Sequence, residues 1–220
     1  MLKKKFKAVM FDMDGIVINS EIYWEKIEKE YARLKGLKYT DAYRRAIMAL
    51  SEKELAEVLR ARHGLKETVD QIVAERGVMA LVIYQKEAKL LPDFLSLIKK
   101  LRGKYKIALV SSSPFKWINP ILRRFKIKKY FDEIVSAEEM RDGHGKPHPA
   151  IYLFAARRLK VLSKECLVFE DSVNGVKAAK AAGMFCVAVP GAWVKDRRGM
   201  GEADLVAKHL GDGKIAEILI

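Results

Sequence analysis

The sequence predicts an α/β fold: a parallel sheet whose chain is interrupted, after the first strand, by a block of helices. Three observations carry this. A short apolar run, Ala8-Val9-Met10-Phe11, ends directly in Asp12-Met13-Asp14-Gly15, the pattern of a buried strand opening into a loop. From Glu21 to about Ala88 apolar residues recur at helical spacing almost throughout. From about Pro92 onward short β-like runs alternate with helical ones, which implies right-handed crossovers between parallel strands.

Each element has its own reason. The first strand is placed near Lys7 to Phe11. In the helical block, Ile22, Ile27, Tyr31 and Leu34 share one face, as do Leu55, Val58 and Leu59, and then Val69, Ile72 and Val73. Lys35-Gly36 and His63-Gly64 read as breaks, and Thr40 and Ser51 as helix starts. Glu54, three residues after Ser51, completes a capping box. Later strands are expected over Ile107 to Ser111, Cys166 to Glu170 and Phe185 to Val189. Helices are expected near Pro114 to Phe125, Pro149 to Leu159 and Val173 to Ala182.

Composition narrows the class. The chain has 220 residues, 50% of them hydrophobic and 32% charged, the balance of a globular protein able to bury a sizeable core. No stretch reaches the length of a membrane span, and Lys3-Lys4-Lys5 is not followed by a signal-like apolar core, so a cytoplasmic protein is expected with no membrane partner. Cys166 and Cys186 lie in apolar runs without metal-type spacing and read as buried thiols. The formal charge of +14 invites a nucleic-acid reading, but the basic clusters are scattered among apolar helix positions and carry no nucleic-acid motif. No nucleic-acid partner is expected; a positive field suits a small phosphorylated metabolite. Abundant Lys, Arg and Glu suggest a heat-adapted source.

Asp12 follows strand one, Ser111 closes the strand from Ile107, and Glu170-Asp171 close the strand from Cys166. In open parallel sheets ligands bind outside the carboxyl ends of the strands, so these groups are expected to converge. Lys146, before Pro147, lies on a loop that can aim its side chain inward. Such a set supports phosphoryl transfer. A carboxylate accepts the phosphoryl group and water later cleaves the aspartyl-phosphate. Asp12, Asp171 and Glu170 form the sparse oxygen shell that Mg²⁺ prefers. Ser111 and Lys146 steady the equatorial oxygens, Ser112 is a further substrate contact, and Asp14 protonates the leaving alkoxide and then activates water.

The four segments Asp12-Met13-Asp14-Gly15, Val110-Ser111-Ser112-Ser113, Lys146-Pro147 and Phe169-Glu170-Asp171-Ser172-Val173-Asn174-Gly175 resemble, in order, the motifs of the haloacid dehalogenase superfamily, in its phosphatase and β-phosphoglucomutase-like branch. The resemblance implies a Rossmann-like core at residues 1–17 and 89–220 and an inserted α-helical cap domain at 18–88. It implies Asp12 as nucleophile, Asp14 as acid/base and, through its backbone carbonyl, a metal ligand. Ser111 and Lys146 would hold phosphate, and Asp171 with Glu170 would hold Mg²⁺. Relatives often read Asp-Ser-Glu followed closely by His; here Asn19-Ser20-Glu21 is followed by Trp24. Ala49 replaces a common Gly, and Gly77 stands where mutases carry a substrate-binding Lys. Hydrolysis is therefore expected ahead of phosphosugar mutation. A dehalogenase would lack the second Asp, and a receiver-like phospho-acceptor module would lack the helical insertion.

Blander readings accompany each residue. Asp12 and Asp14 would serve as turn caps, Asp171-Ser172 as a helix cap, and Lys146 as a solvated lysine, but capping alone does not predict all four segments. Ser113, beside Pro114, reads as a turn residue. His144 and His148 read as loop histidines, and Trp24, Trp117 and Trp193 as packing residues. Arg44 and Arg45 read as solvated rather than substrate-gripping.

Overall fold

The computed structural model describes residues 6–47, 50, 52–140, 145–192, 194 and 198–219. Its centre is a six-stranded parallel sheet: β1 (Ala8–Phe11), β2 (Lys106–Ser111), β3 (Glu133–Ser136), β4 (Cys166–Glu170), β5 (Phe185–Ala188) and β6 (Leu205–Val206), in spatial order β3-β2-β1-β4-β5-β6. The chain winds outward on one side of β1, then returns to its other side at β4. That reversal opens a crevice at the carboxyl ends of β1 and β4.

Alternation along the strands divides the core in two. Val9, Phe11, Ile107, Leu109, Leu167 and Phe169 face one side, while Ala8, Met10, Ala108, Val110, Cys166 and Val168 face the other. The first side is covered by α5 (Phe94–Leu101), α6 (Phe115–Arg124) and α9 (Gly213–Leu219); the second by α7 (Ala150–Leu159) and α8 (Val173–Ala181). Phe11 stacks on Phe169 at 5.0 Å and meets the edge of Phe94 at 5.6 Å. Full burial of such a side chain contributes roughly 1.5–3 kcal/mol. Cys166 and Cys186 are free thiols buried in this core.

The expected helical block is present between β1 and β2 as α1 (Glu21–Leu34), α2 (Asp41–Ile47), α3 (Glu52–His63) and α4 (Val69–Val82), continued by a π-helical turn over Ile83–Glu87. It has a core of its own, with Tyr31, Tyr43, Ile47, Leu55, Leu59 and Ile72 packed together. Thr40 accepts from the Tyr43 amide at 3.1 Å, as a helix-start residue should. Ser51 lies outside the described residues, and Glu54 accepts instead from the Gly145 amide at 3.1 Å, across the cleft from its own helix. The two connections to the sheet run side by side. The Asn19 amide donates to the Lys89 carbonyl at 3.0 Å and the Leu91 amide to the Val17 carbonyl at 2.9 Å.

The predicted strands and helices occur within a residue or so of their expected bounds. Sequence reasoning missed β3 and β6, which are short edge strands, and the helices α5 and α9. Among the described residues no helix is long and apolar enough to cross a membrane.

Candidate active site

Parallel register sets Phe11 level with Leu109 of β2 and with Phe169 of β4. The residues that follow therefore leave the sheet together: Asp12, whose amide donates to the Phe169 carbonyl at 3.1 Å, Ser111 at the end of β2, and Glu170-Asp171 at the end of β4. Ligand oxygens of Asp12, Glu170 and Asp171 lie within 4.8 Å of one another, all buried. Two like charges at that distance repel by about 3 kcal/mol at an effective dielectric of about 20, so the cluster calls for cations.

Lys146 supplies one. It is 2% exposed, and its Nζ donates to Asp12 Oδ1 at 2.6 Å and to Glu170 Oε1 at 2.5 Å. The solvated-lysine reading is thus wrong for Lys146. Burial disfavours its charge, yet Asp12 and Glu170 outweigh burial and hold its pKa above the ordinary lysine value. Burial likewise pushes Asp12 up to about 8, opposed by Lys146 and reinforced by the charges of Glu170 and Asp14. Glu170 also accepts from the Tyr152 hydroxyl and, at 3.2 Å, from Ser172 Oγ. Three carboxylates face one ammonium here, and their hard oxygen donors fit a small divalent cation.

Asp14 has different surroundings. Its carboxylate accepts from Ser20 Oγ at 2.5 Å, Tyr84 OH at 2.9 Å and Ser113 Oγ at 2.9 Å. These hydroxyls hold it away from the acidic cluster, so any contact of Asp14 with a cation is left to its backbone. Burial raises its pKa while the three hydroxyls lower it, and burial wins. Tyr84 lies on the π-helical turn, and its hydroxyl in turn accepts from Trp24 Nε1 at 3.1 Å. Trp24 packs against Trp117 at 5.5 Å, so packing and contact with the site are one arrangement.

Two glycines are forced by this crowding. Gly15 adopts φ +88, and a Cβ there would overlap the Asp171 carboxylate; a Cβ on Gly175 of α8 would overlap the Glu170 carboxylate. Gly15→Ala is expected to combine left-handed strain with displacement of Asp171, costing at least about 1 kcal/mol of stability. Thermal unfolding, and cation-dependent protection against it, will show the loss; a melting curve and cation response equal to those of the parent would refute this geometry.

The remaining sequence candidates fall as follows. Ser111 is fully buried with its Oγ accepting from the Ser113 amide at 3.0 Å, while Ser112 and Ser113 line the cleft. Ser113 is therefore more than a turn residue. Ser172 caps α8 through the Gly175 amide at 3.0 Å, so capping holds for Ser172 while Asp171 joins the acidic cluster. His148 Nδ1 accepts from the Ala150 amide at 3.2 Å. His144, Trp193 and Ala49 lie outside the described residues, as does the Arg45 side chain. Arg44 is only 8% exposed and lines the cleft, which overturns its solvated reading. Sequence reasoning missed Ser20, Tyr84 and Tyr152. Of these only Ser20, in the linker just after the first motif, had a position that pointed to the site.

A doubly wound sheet with carboxylates and a buried lysine at its switch point, roofed by an inserted helical block, defines a Rossmann-like α/β enzyme whose acidic residues are arranged for reaction rather than for stability. The chain belongs to the haloacid dehalogenase-like hydrolase family, whose model matches residues 6–183. It is 34% identical to a phosphorylated carbohydrates phosphatase of Thermotoga maritima, over 81% of this chain and 82% of that one. It is 31% identical to hexitol phosphatase B of Escherichia coli K12, over 85% of each chain. The solved β-phosphoglucomutase of Clostridium difficile has the same fold, with a TM-score of 0.81 and 23% identity over 97% of both chains.

Proposed function

We propose that the protein is a Mg²⁺-dependent phosphatase that hydrolyses a small phosphorylated sugar or sugar alcohol through an aspartyl-phosphate on Asp12. The observation that carries this reading is the separation of two carboxylate environments on one loop. Asp12 sits against Lys146 beside the acidic cluster, and Asp14 is turned away into a ring of hydroxyls.

In this reading Asp12 Oδ attacks phosphorus and the ester oxygen departs. Lys146, already at 2.6 Å from Asp12, meets the negative charge of the incoming phosphate. Ser112, on the cleft wall, and Ser111, behind it, belong to the phosphate-binding loop after β2. Burial raises the pKa of Asp14 and so favours its acid form, which delivers a proton to the leaving alkoxide and then takes one from the water that cleaves the acyl-phosphate. Asp12, Asp171 and the Asp14 backbone carbonyl would hold the metal. Glu170, occupied by Lys146, Tyr152 and Ser172, would support it from behind. Bound Mg²⁺ would neutralise charge shared by the nucleophile and the phosphate. Residues 18–88 act as the cap and residues 1–17 with 89–220 as the core, closure of the cap excluding bulk water during transfer. The relatives named phosphatases favour hydrolysis over mutation.

Hydrolysis of sugar phosphates and of a generic aryl phosphate should require Mg²⁺, disappear with EDTA and return when Mg²⁺ is restored. Persistence of full activity in EDTA would sink the metal-dependent reading. Asp14→Ala should slow alkyl phosphates, whose alkoxide needs a proton, by about 10²- to 10⁴-fold, and aryl phosphates much less. Equal slowing of both would remove Asp14 from the acid role.

A further inference from the structure

The cleft above the acidic cluster contains two buried donors that lack acceptors. Arg76 and Trp117 are each 1% exposed, both line the cleft, and neither Arg76 Nη1 nor Trp117 Nε1 makes a hydrogen bond. Buried donors are rarely left unpaired, and here both belong to residues that line a cleft open to a ligand. Carboxylates stand beside them. Glu52 accepts from Arg76 Nε at 3.1 Å and Nη2 at 3.5 Å, and Glu28 lines the same wall. Glu52 thus balances the charge of Arg76 and leaves its Nη1 without an acceptor.

We propose that Arg76, Trp117, Glu52 and Glu28 form the leaving-group subsite, and that it takes an uncharged polyhydroxylated group while rejecting one that carries a second anion. A hydroxyl both accepts and donates, so it satisfies the orphaned donors and the neighbouring carboxylates at once. A second phosphate or a carboxylate can only accept. It would find Arg76 already neutralised by Glu52, and on the same wall the acidic side chains Glu21, Glu25 and Glu28 outnumber Arg44. The positive charge of the chain as a whole, +14, draws phosphate esters in, and the more highly charged ones more strongly, so discrimination against a second anion falls to this wall.

This inference rests on the phosphatase reading, and one panel separates the two. With Mg²⁺, kcat and KM are measured for an aryl phosphate, a hexitol monophosphate, phosphoglycolate and a hexose bisphosphate. The wild-type enzyme should prefer the hexitol monophosphate to both competitors that carry a second anionic group by at least about tenfold in kcat/KM. Glu52→Gln, which frees the charge of Arg76, should shrink that preference by about tenfold or reverse it. Trp117→Phe, which keeps an aromatic side chain and removes the N–H, should raise KM for the hexitol ester more than it lowers kcat. Hydrolysis of none of the four esters would refute the phosphatase reading itself. Hydrolysis of the aryl ester with phosphoglycolate or the bisphosphate preferred over the hexitol ester by the wild type would refute the subsite alone, whether or not the variants fold. So would an unchanged preference in folded Glu52→Gln.

Discussion

Asp12→Asn is expected to lower kcat for every phosphate ester by at least about 10⁴-fold, the scale seen when a covalent nucleophile is removed. The substitution keeps the shape of the side chain at the end of β1, where Asp12 is 6% exposed, so the sheet and its register should survive. What it removes is the anionic oxygen that must bond to phosphorus. An amide is a poor nucleophile, and neither Glu170, engaged by Lys146, Tyr152 and Ser172, nor Asp14, held by Ser20, Tyr84 and Ser113, occupies its place. Steady-state assays with circular dichroism as a folding control will decide. Activity within tenfold of wild type in a folded Asn variant would remove Asp12 as the nucleophile, whatever the metal dependence.

Lys146→Met should be the most damaging change for both stability and activity. Removing one partner from a buried ion pair leaves an uncompensated charge and costs roughly 3–5 kcal/mol; here two carboxylates lose the same ammonium. The pH dependence follows from the direction of the Asp12 shift. Burial raises its folded pKa from 3.8 to about 8 even with Lys146 present. A folded pKa above the unfolded one means stability that is greatest below about pH 4 and is lost as pH rises through about 8. Without the lysine, which lowers that pKa, the loss must grow. The melting-temperature deficit of Lys146→Met relative to wild type should therefore be larger at pH 9 than at pH 6. A deficit that widens on acidification would contradict this account of the cluster.

Particular residues show how far the sequence could be read. Ala8 to Phe11 are apolar without a break and end in Asp12-Met13-Asp14, the pattern of a strand buried on both faces that opens at its carboxyl end. Ser111 and Glu170-Asp171 carry the same signature, and register does the rest: parallel neighbours that end at one level bring their following residues together. Lys146 was legible only through its motif, since nothing in Gly145-Lys146-Pro147 itself announces a side chain 2% exposed. Tyr84 and Tyr152 gave no sign. Each looks like one more aromatic on a helical face, and only the packing of the π-helical turn and of α7 against the strand ends turns their hydroxyls toward Asp14 and Glu170. Arg44 misled for the opposite reason, because a charged residue in a helix reads as solvated unless a partner is known, and Arg76 drew no reading at all. The partner of Arg76, Glu52, lies on another helix 24 residues away.

By itself the sequence determined the α/β order of elements, the interrupting helical block and the residues that end on one edge of the sheet. Those follow from local periodicity and from the rule that parallel strands share a direction. Only the tertiary structure decided the division of labour among the carboxylates: which one a lysine neutralises, which one hydroxyls turn aside, and which donors on the opposite wall are left without acceptors. These are properties of distance and dielectric between groups far apart in the chain, and no spacing along the backbone encodes them.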